Sequence, residues 1–407
     1  MNFIVLDEHP PEDGRIGRHI RYLLQNNERV FRLHFSLFDP TLESGHFSLY
    51  GEKGFRISPP SSHMRPLNFC VFNMKYLLPF CFYSRIKWIL KELDIDLTAP
   101  AVLHVHDPCL LKIATMMKRK LFQSARIVYD RHEFYEVFNK RTQLPTLTRH
   151  RFHEILAMDA VDGVAHASLG GESDPRLLFP RAEQTHIPNF PLADTYDEAR
   201  IREKILMSEN NSAFNLLYIG SLNPHDRDVR LMLKIAADIL AHIPETTFFI
   251  GGPSYGNDEE LQQMMIPLRE KYGARFHFHL GYVGRNMAQR LTEDCHIGLL
   301  FIDPETTYWI KSSPNKLYEY LRCGAIPVMR ASIESPESVS SCSLLFDRYT
   351  PEEEIVSSLR DLATDPERCR RMMEDALTLS AQFTFNTVGP EYFRLYNRLW
   401  NGRSSPL

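Results

Sequence analysis

Residues 312–328 read SSPNKLYEYLRCGAIPV, and this stretch decides the fold of the second half of the chain. Pro314 suits the first turn of a helix, where its missing N–H costs nothing, and Gly324 suits the end of that helix. The N–H groups of a first turn and the helix dipole together favour an anion such as a diphosphate. Lys316 adds a positive charge, and Glu319 lies on the same helix face, where its carboxylate can accept both hydroxyls of a ribose. The plainer interpretation of these two side chains is a surface ion pair.

Apolar runs alternate with segments of helical periodicity on both sides of this stretch, which is typical of a parallel α/β sheet. In the first half, strands are predicted at 2–7, 30–35, 101–106, 125–130 and 163–168. In the second half, they are predicted at 215–220, 246–252, 274–281, 295–302 and 325–330. Helices are predicted between them, for example at 17–25, 109–122 and 229–243. Residues 40–65 lack a clear pattern and are predicted to be a polar loop.

The 407 residues exceed the usual size of one compact core, so we expect two domains. We predict a first domain at 1–190 and a second at 191–384, with the segment HIPNFPL (186–192) as the crossover. The C-terminal helix, 385–402, is expected to pack back on the first domain. Two α/β domains of this kind predict an interdomain cleft that collects the carboxyl ends of both sets of strands.

The composition excludes several classes of protein. A hydrophobic content of 43%, a charged content of 24% and a net charge of −4 are those of an ordinary soluble globular protein and disfavour nucleic-acid binding. The start lacks the pattern of a signal peptide, and no uncharged apolar run is long enough to span a membrane. The seven cysteines stand singly, which suits reduced thiols. We therefore expect a cytoplasmic protein.

The 312–328 stretch resembles the donor-site motif of the retaining GT-B glycosyltransferases of family 4, in which P-x-K-x-x-E-Y precedes a small-residue turn and G-x-P-V. Four other segments carry the same resemblance: LYIGSL (217–222) followed by Arg227, HIPNF (186–190), VYDRHE (128–133) and HVHDP (104–108). Lys311 departs from the pattern, because many members have a glutamate there that contacts the donor sugar. The identity of the sugar therefore does not carry over.

The resemblance implies which residues form the site. The catalytic residues would be His106, Arg227 and Lys316. The nucleotide-sugar donor would be bound by Gly17, Gly220, Arg227, Tyr282, Ser313, Asn315, Lys316, Leu317 and Glu319. Asp130 and His132 would lie on the acceptor side.

The resemblance also implies retention of the anomeric configuration. No carboxylate nucleophile is evident, so we expect front-face attack, with Arg227, Lys316 and the helix N-terminus stabilising the departing nucleoside diphosphate. We expect neither a cofactor nor a metal. HVHDP also resembles the start of a zinc hydrolase site, but the sequence offers no convincing set of further ligands. Neither of two D-x-D strings is interpreted as a metal site. Asp94 and Asp96 suit a solvated turn from helix to strand, and Asp226 and Asp228 flank Arg227, where their charge would oppose a diphosphate unless they point away.

The predicted function is that of a hexosyltransferase acting on a glycan or lipid-linked acceptor, in bacterial surface polysaccharide biosynthesis. The basic and aromatic segment 74–91 is either a core helix with a basic edge or a peripheral contact with the inner membrane face. The alternatives are a sugar-nucleotide epimerase or hydrolase of the same fold, and a non-catalytic sugar-nucleotide-binding protein. A dehydrogenase is disfavoured because G-x-G-x-x-G is missing.

Overall fold

The computed structural model describes residues 1–9, 13–36, 43–58, 79–132, 144–167, 173–208, 214–224, 226–305, 314–331 and 335–401. The chain divides into two compact units. The first unit comprises Met1–Pro188 and Val388–Leu407, and the second comprises Asn189–Thr387.

The first unit is built on a sheet whose strands, in chain order, are β1 (Asn2–Asp7), β2 (Arg29–Phe35), β3 (Gly45–Phe47), β4 (Lys53–Ile57), β5 (Ala101–Val105), β6 (Ala125–Arg131), β7 (Gly163–His166) and β8 (Glu183–His186). In space the order is β3-β4-β2-β1-β5-β6-β7-β8. Neighbouring strands are parallel except β3 and β4. The helices of this unit are α1 (Gly14–Gln25), α2 (Tyr83–Glu92), α3 (Leu111–Lys120), α4 (Leu144–Ala157), α5 (Ser173–Leu178) and, from the end of the chain, α13 (Phe385–Asn401).

The order of the strands places a switch point between β1 and β5. From β1 the chain proceeds outward through β2 and β4, and from β5 it proceeds outward in the opposite direction through β6, β7 and β8. Both central strands are buried along their whole length, which explains their nearly unbroken apolar sequences. In sheets of this kind ligands bind beyond the carboxyl ends of the strands at the switch point.

The second unit contains a parallel sheet with the strands β9 (Leu216–Ile219), β10 (Phe248–Gly252), β11 (Phe276–Leu280), β12 (Ile297–Leu300), β13 (Ile326–Arg330) and β14 (Leu344–Phe346). Their order is β11-β10-β9-β12-β13-β14, so the switch point lies between β9 and β12. The helices are α6 (Glu198–Met207), α7 (Val229–His242), α8 (Asp258–Tyr272), α9 (Arg285–Asp294), α10 (Asn315–Arg322), α11 (Glu352–Ala363) and α12 (Pro366–Ser380).

The prediction of a polar loop at 40–65 was wrong in its described parts. β3 and β4 form an antiparallel pair there, and Phe55 and Ile57 of β4 are buried in the core of the first unit. Gly54 makes the pairing possible, since a Cβ atom on it would lie 2.7 Å from the carbonyl oxygen of Phe47. Glycine and a strand of three residues hide the alternation that marks a strand in the sequence.

Each unit has its own core. The first is centred on apolar side chains of β1, β2, β5, α2 and α3, and the second on those of β9, β10, α7 and α11. Among the described residues, no helix combines the length and apolarity that a membrane-spanning segment needs.

Candidate functional site

The carboxyl ends of β5 and β6 in the first unit converge on a buried carboxylate, Asp130. Arg15 of α1 reaches one of its oxygens, Oδ1, with Nε at 2.8 Å and Nη2 at 2.7 Å. The third nitrogen of Arg15, Nη1, donates to the carbonyl of Ile187 at 2.8 Å. Burial alone would raise the pKa of Asp130, but the Arg15 charge and the hydrogen bond from His104 hold it well below its ordinary value. Asp130 is therefore a buried, ionised acceptor.

Two tyrosines of α13 bring their hydroxyls to this carboxylate and to a histidine beside it. Tyr392 donates to the other oxygen of Asp130, Oδ2, at 2.5 Å. His104 Nε2 lies 3.2 Å from the same oxygen, and its second ring nitrogen lies 3.0 Å from the Tyr396 hydroxyl. The four side chains are at most 1% exposed, so each polar atom depends on its protein partners.

Three more histidines continue outward from Tyr396. His19 Nε2 lies 2.8 Å from the Tyr396 hydroxyl, and His19 Nδ1 lies 3.3 Å from His106 Nε2. His106 Nδ1 in turn lies 2.7 Å from His132 Nε2. We refer to His132, His106, His19 and His104, joined through Tyr396, as the histidine chain. His132 is the only partly buried member and forms its outer end.

The four imidazole rings of the histidine chain are neutral. Burial lowers the pKa of His19, His104 and His106. Burial, and then the charge of the neighbouring His9, lower the pKa of His132 to about 4.

His9 has the opposite character and stacks on His132, with ring centroids 4.8 Å apart. Burial opposes its charge, but Asp107, whose carboxylate oxygen lies 3.1 Å away, outweighs burial together with Asp13 and Asp7. These carboxylates raise the pKa of His9 to about 10. A cationic ring therefore covers the outer end of a neutral chain.

The structure brings together histidines and a carboxylate that could act as metal ligands, a set that the sequence had not indicated. One possible ligand atom from each of His106, Asp130 and His132 lies within 4.8 Å of the other two, and the same holds for His19, His104 and His106. However, both oxygens of Asp130 already accept hydrogen bonds, and the Arg15 cation lies against one of them. A second cation at this carboxylate would be repelled. These residues therefore fit a hydrogen-bonded chain better than a metal site.

Gly17 lies in α1, which begins at Gly14 rather than at residue 17 as predicted. Asp13 caps this helix, and its carboxylate accepts from the backbone N–H groups of Arg15 and Ile16. The N–H of Gly17 donates to the Asp13 carbonyl. A Cβ atom on Gly17 would lie 2.8 Å from the Tyr50 hydroxyl, so glycine is needed for the approach of that ring.

In the second unit, two glycines bring backbone close together where β9 and β10 end. The N–H of Gly220 donates to the carbonyl of Gly251 at 2.9 Å. Gly252 has a φ of +150°, and a Cβ atom on it would lie 1.7 Å from the Gly220 oxygen. Such bare backbone at a switch point permits the close approach of a phosphate.

Arg227 lies in the connection from β9 to α7. Its backbone pairs with Ile302, which follows β12, and this bridge fixes it at the switch point. Its Nη1 atom donates to the carbonyl of Asp226 at 3.1 Å, and its side chain is 28% exposed. Asp228 caps α7 by accepting from the Leu231 N–H at 3.1 Å.

The helix predicted from the 312–328 stretch is α10, which follows β12. Pro314 caps it, and it ends at Gly324 with a φ of +59°. The N–H groups of Gly324 and Ala325 donate to the carbonyls of Leu321 and Tyr320, which is the Schellman arrangement. Both termini of the helix thus follow from the sequence.

The four predicted donor residues at the start of α10 differ in their surroundings. Lys316 Nζ donates to Glu319 Oε2 at 2.6 Å, and the two side chains are 27% and 19% exposed. Asn315 is exposed, whereas Leu317 is fully buried and belongs to the packing of the helix. Ser313, like Lys311, lies outside the described residues.

Tyr282 follows β11 and is 65% exposed. Gly281, with a φ of +132°, precedes it and donates its N–H to the carbonyl of Gly252. This hydrogen bond connects the end of β11 to the glycines at the ends of β9 and β10. An exposed aromatic ring at this edge of the sheet suits a planar base.

The structure divides the predicted site residues into two groups. Gly17, His106, Asp130 and His132 lie at the switch point of the first unit. Gly220, Arg227, Tyr282, Asn315, Lys316, Leu317 and Glu319 lie at the carboxyl edge of the second sheet or on the helix that follows it.

The sequence analysis missed Arg15, His19, His104, Tyr392 and Tyr396, which complete the first group. A weak signal existed, because Arg15 and His19 lie four residues apart on the buried face of α1. Tyr392 and Tyr396 have the same spacing on α13. In the second unit it missed Arg330, whose Nη1 donates to Asp228 at 3.0 Å.

The sequence matches no protein-family model and no curated protein. Solved structures match along almost the whole chain. The sucrose-phosphate synthase of Thermosynechococcus elongatus has a TM-score of 0.68 at 14% identity, covering 98% of this chain and 99% of that one. HepE of Anabaena, in complex with UDP-glucose, has a TM-score of 0.64 at 14% identity, with coverage of 98% and 99%. A trehalose-6-phosphate synthase studied with bisubstrate glycomimetics has a TM-score of 0.60 at 12% identity, with coverage of 97% and 99%.

The chain has the GT-B fold. It consists of two Rossmann-like domains, as the sequence predicted. At these identities the likeness establishes the fold, and the chemistry has to be argued from the residues.

Proposed function

We propose that the protein is a glycosyltransferase that takes a sugar from a nucleoside diphosphate sugar. The observation that carries the proposal is the beginning of α10, where Lys316 and Glu319 lie side by side after β12, next to the switch point of the second sheet. A cation and a carboxylate on one face of a first turn match the diphosphate and the ribose of such a donor. The GT-B neighbours crystallised with UDP and UDP-glucose support the same class of ligand.

The donor is assigned to the second unit. Lys316 and Arg227 bind the diphosphate, Glu319 accepts from the ribose, and the base rests on Tyr282 and the backbone of Gly281. Gly220 allows the diphosphate to approach the backbone. We include Asn315 and Leu317 through the backbone of the α10 start, and Ser313 and Gly17 by resemblance.

The leaving group is the nucleoside diphosphate. Lys316, Arg227 and the N–H groups at the start of α10 stabilise the negative charge that develops on it. With this cationic set, the proposal requires no metal and no cofactor.

The acceptor is assigned to the first unit, where the histidine chain ends. Both ring nitrogens of His106 already have partners inside the chain, so His106 acts by holding His132 in place. His132 has Nδ1 left for a substrate. A neutral ring with a vacant lone pair can accept a hydrogen bond from a hydroxyl of the acceptor that does not react, and so orient the acceptor for transfer.

For the reaction itself we propose transfer with retention by front-face attack. The acceptor oxygen bonds to the anomeric carbon, the bond from that carbon to the phosphate oxygen breaks, and the acceptor proton passes to the departing diphosphate. The trehalose-6-phosphate synthase among the structural neighbours was studied for glycosyl transfer with retention, which supports this stereochemistry. We further propose that the acceptor is a glycan or is lipid-linked, and that the enzyme acts in bacterial surface polysaccharide biosynthesis. The enzyme would be cytoplasmic and would meet this acceptor at the inner membrane face.

A nucleotide-sugar hydrolysis assay with and without EDTA tests the proposal. Slow release of nucleoside diphosphate in the absence of an acceptor is expected, because water replaces the acceptor hydroxyl. Its rate should be unchanged by EDTA. A rate that collapses with the chelator and returns only with Mg²⁺ or Mn²⁺ would contradict the mechanism. Tight binding without any turnover would favour a sugar-nucleotide-binding protein instead.

A further inference from the structure

The hydrogen-bond partners of the histidine chain determine where each of its protons lies. The count starts at Asp130, which is ionised and can only accept. His104 must therefore carry its proton on Nε2 and direct it to Oδ2. A neutral ring has one N–H, so His104 Nδ1 is an acceptor, and the hydroxyl of Tyr396 donates to it.

The proton positions on the outer rings are fixed in the same way, one ring after another. Because the Tyr396 proton is directed to His104, its oxygen accepts from His19, whose proton is on Nε2. His19 Nδ1 then accepts from His106 Nε2, and His106 Nδ1 accepts from His132 Nε2. Every ring in the chain is an Nε2–H tautomer, and every hydrogen bond is directed toward Asp130.

We propose that Tyr396 is a positioning residue whose hydroxyl transmits the polarity set by Asp130 and so holds His132 with a vacant Nδ1. It touches no substrate. Among the described residues, its hydroxyl is the hydrogen-bonded link between the inner half of the chain, Asp130 and His104, and the outer half, His19, His106 and His132. His106 Nδ1 also lies near Asp130 Oδ2, but at 3.7 Å, which is too long for a hydrogen bond. The role of His132 toward an acceptor rests on the proposed function. The tautomers follow from the hydrogen bonds together with the ionised state of Asp130 and the neutral state of the four rings.

Replacement of Tyr396 by phenylalanine separates the two halves. His104 remains an Nε2–H tautomer, because Asp130 still requires its proton. His19 loses the acceptor for its Nε2–H and is driven to the Nδ1–H form, since a buried donor without a partner is costly. That change forces His106, and then His132, to reverse as well. His132 would then present a donor in place of an acceptor.

The test is ¹⁵N NMR of the full-length protein labelled at histidine, in which long-range couplings distinguish the two tautomers of each ring. Resonances are assigned from their loss in single His→Gln variants. We expect four Nε2–H rings in the wild type. In Tyr396→Phe we expect His104 unchanged and Nδ1–H character at His19, His106 and His132. The kcat of donor hydrolysis should fall about tenfold, the equivalent of one hydrogen bond.

Tyr129→Phe is the matched control. Tyr129 is a fully buried tyrosine of the same unit whose hydroxyl donates to a carboxylate, Glu154, at 3.0 Å, outside the chain. It should leave all four tautomers as they are. Nδ1–H rings in the wild type, or an outer half unchanged by Tyr396→Phe, would overturn the inference. If the tautomers behave as expected and no nucleotide sugar is hydrolysed, the inference stands and the proposed function fails.

Discussion

Glu319 is the residue on which the assignment of the donor depends most. In the structure its carboxylate holds Lys316 at 2.6 Å, an ion pair that is partly exposed and therefore contributes little to stability. The pair can open to accept a ribose on one partner and a phosphate on the other.

Glu319→Ala should weaken donor binding by about 1.5–3 kcal/mol, the range for hydrogen bonds to a charged group, and leave the melting temperature nearly unchanged. Calorimetric titration with the nucleotide sugar that binds best measures the effect. Glu374→Ala is the control, because Glu374 forms an ion pair with Arg370 at the same 2.6 Å distance on α12. Equal donor affinity in the wild type and in Glu319→Ala would remove Glu319 from the site.

At this scale the sequence predicts residues that act through a local motif and misses those that act through the fold. Pro314, Lys316, Glu319 and Gly324 lie within eleven residues, so their spacing alone places them on one helix. The partners of His106 come from α1 and from beyond β6. Asp130 and His104 have partners on α13, which are 262 and 292 residues away along the sequence. Sequence spacing cannot predict contacts between residues that are so far apart along the chain.

Among the elements, α10 packs against β12, β13 and α12, and its contact with β12 is especially close. A Cβ atom on Gly298 would lie 2.2 Å from Cδ2 of Tyr320. Tyr320 is fully buried, and its hydroxyl lies 3.2 Å from the carbonyl of Leu299 and 3.4 Å from that of Leu217. The Tyr320 ring therefore cannot move aside to make space for a larger side chain at position 298.

Gly298→Ala should displace α10, destabilise the second unit by about 3 kcal/mol and lower donor affinity at temperatures where the protein is still folded. Thermal unfolding and titration measure both effects. Gly45→Ala is the control, since among the described atoms nothing lies within 4 Å of a Cβ atom at that position. A melting temperature equal to that of the wild type would show that α10 is not held by this contact.

The same comparison shows which elements a sequence can predict. The central strands β1, β5, β9 and β12 are apolar on both faces, and their predicted positions agree with the structure within three residues at either end. Three of the four edge strands, β3, β8 and β14, have three or four residues each and were not predicted, whereas the fourth, β11, has five residues and was predicted at 274–281. A short edge strand buries little, so its sequence carries little of the apolar pattern.

For the whole molecule, the neutral histidine chain predicts a loss of stability in acid. The folded pKa values of His19, His104, His106 and His132 lie below the ordinary 6.5, so the unfolded state binds more protons than the folded state. The contribution of these four rings is therefore complete above pH 6.5 and falls as the pH falls toward 4, by about 1.4 kcal/mol per pH unit for each fully shifted ring. His9 acts in the opposite direction, because its raised folded pKa gives stability that is complete below pH 6.5 and is lost as the pH rises toward 10.

Hydrogen exchange of β1, β5 and β6 amides between pH 7.5 and 5, corrected for the intrinsic rate, measures this loss in the first unit. His19→Gln should reduce the slope, because one fewer proton is taken up on unfolding. His242→Gln is the control, since His242 is half-exposed on α7 of the second unit. A first unit as stable at pH 5 as at pH 7.5 would contradict the neutral chain.

A second prediction at this scale concerns the membrane. Within the described part of the segment 74–91, Phe80 and Trp88 are 64% and 51% exposed, and Lys87 and Lys91 are exposed beside them. Basic residues near an anionic surface contribute about 1 kcal/mol each. We therefore expect salt-sensitive sedimentation with anionic liposomes.

Changing Lys87 and Lys91 to Glu should abolish that sedimentation. Changing Arg269 and Lys271 to Glu alters the net charge equally and should not, because these exposed residues lie on α8 of the second unit. A wild-type protein that stays in the supernatant at low salt would make a soluble acceptor the better interpretation.

The central claim, a nucleoside diphosphate sugar bound at the start of α10, is tested most directly by one calorimetric titration series. The wild type and the double variant Arg227→Ala/Lys316→Ala are each titrated with a panel of nucleotide sugars that begins with UDP-glucose. We expect at least one sugar nucleotide to bind the wild type, and we expect the double variant to lose this binding while remaining folded. A panel that fails to bind the wild type, or a ligand that binds both proteins equally, would contradict it.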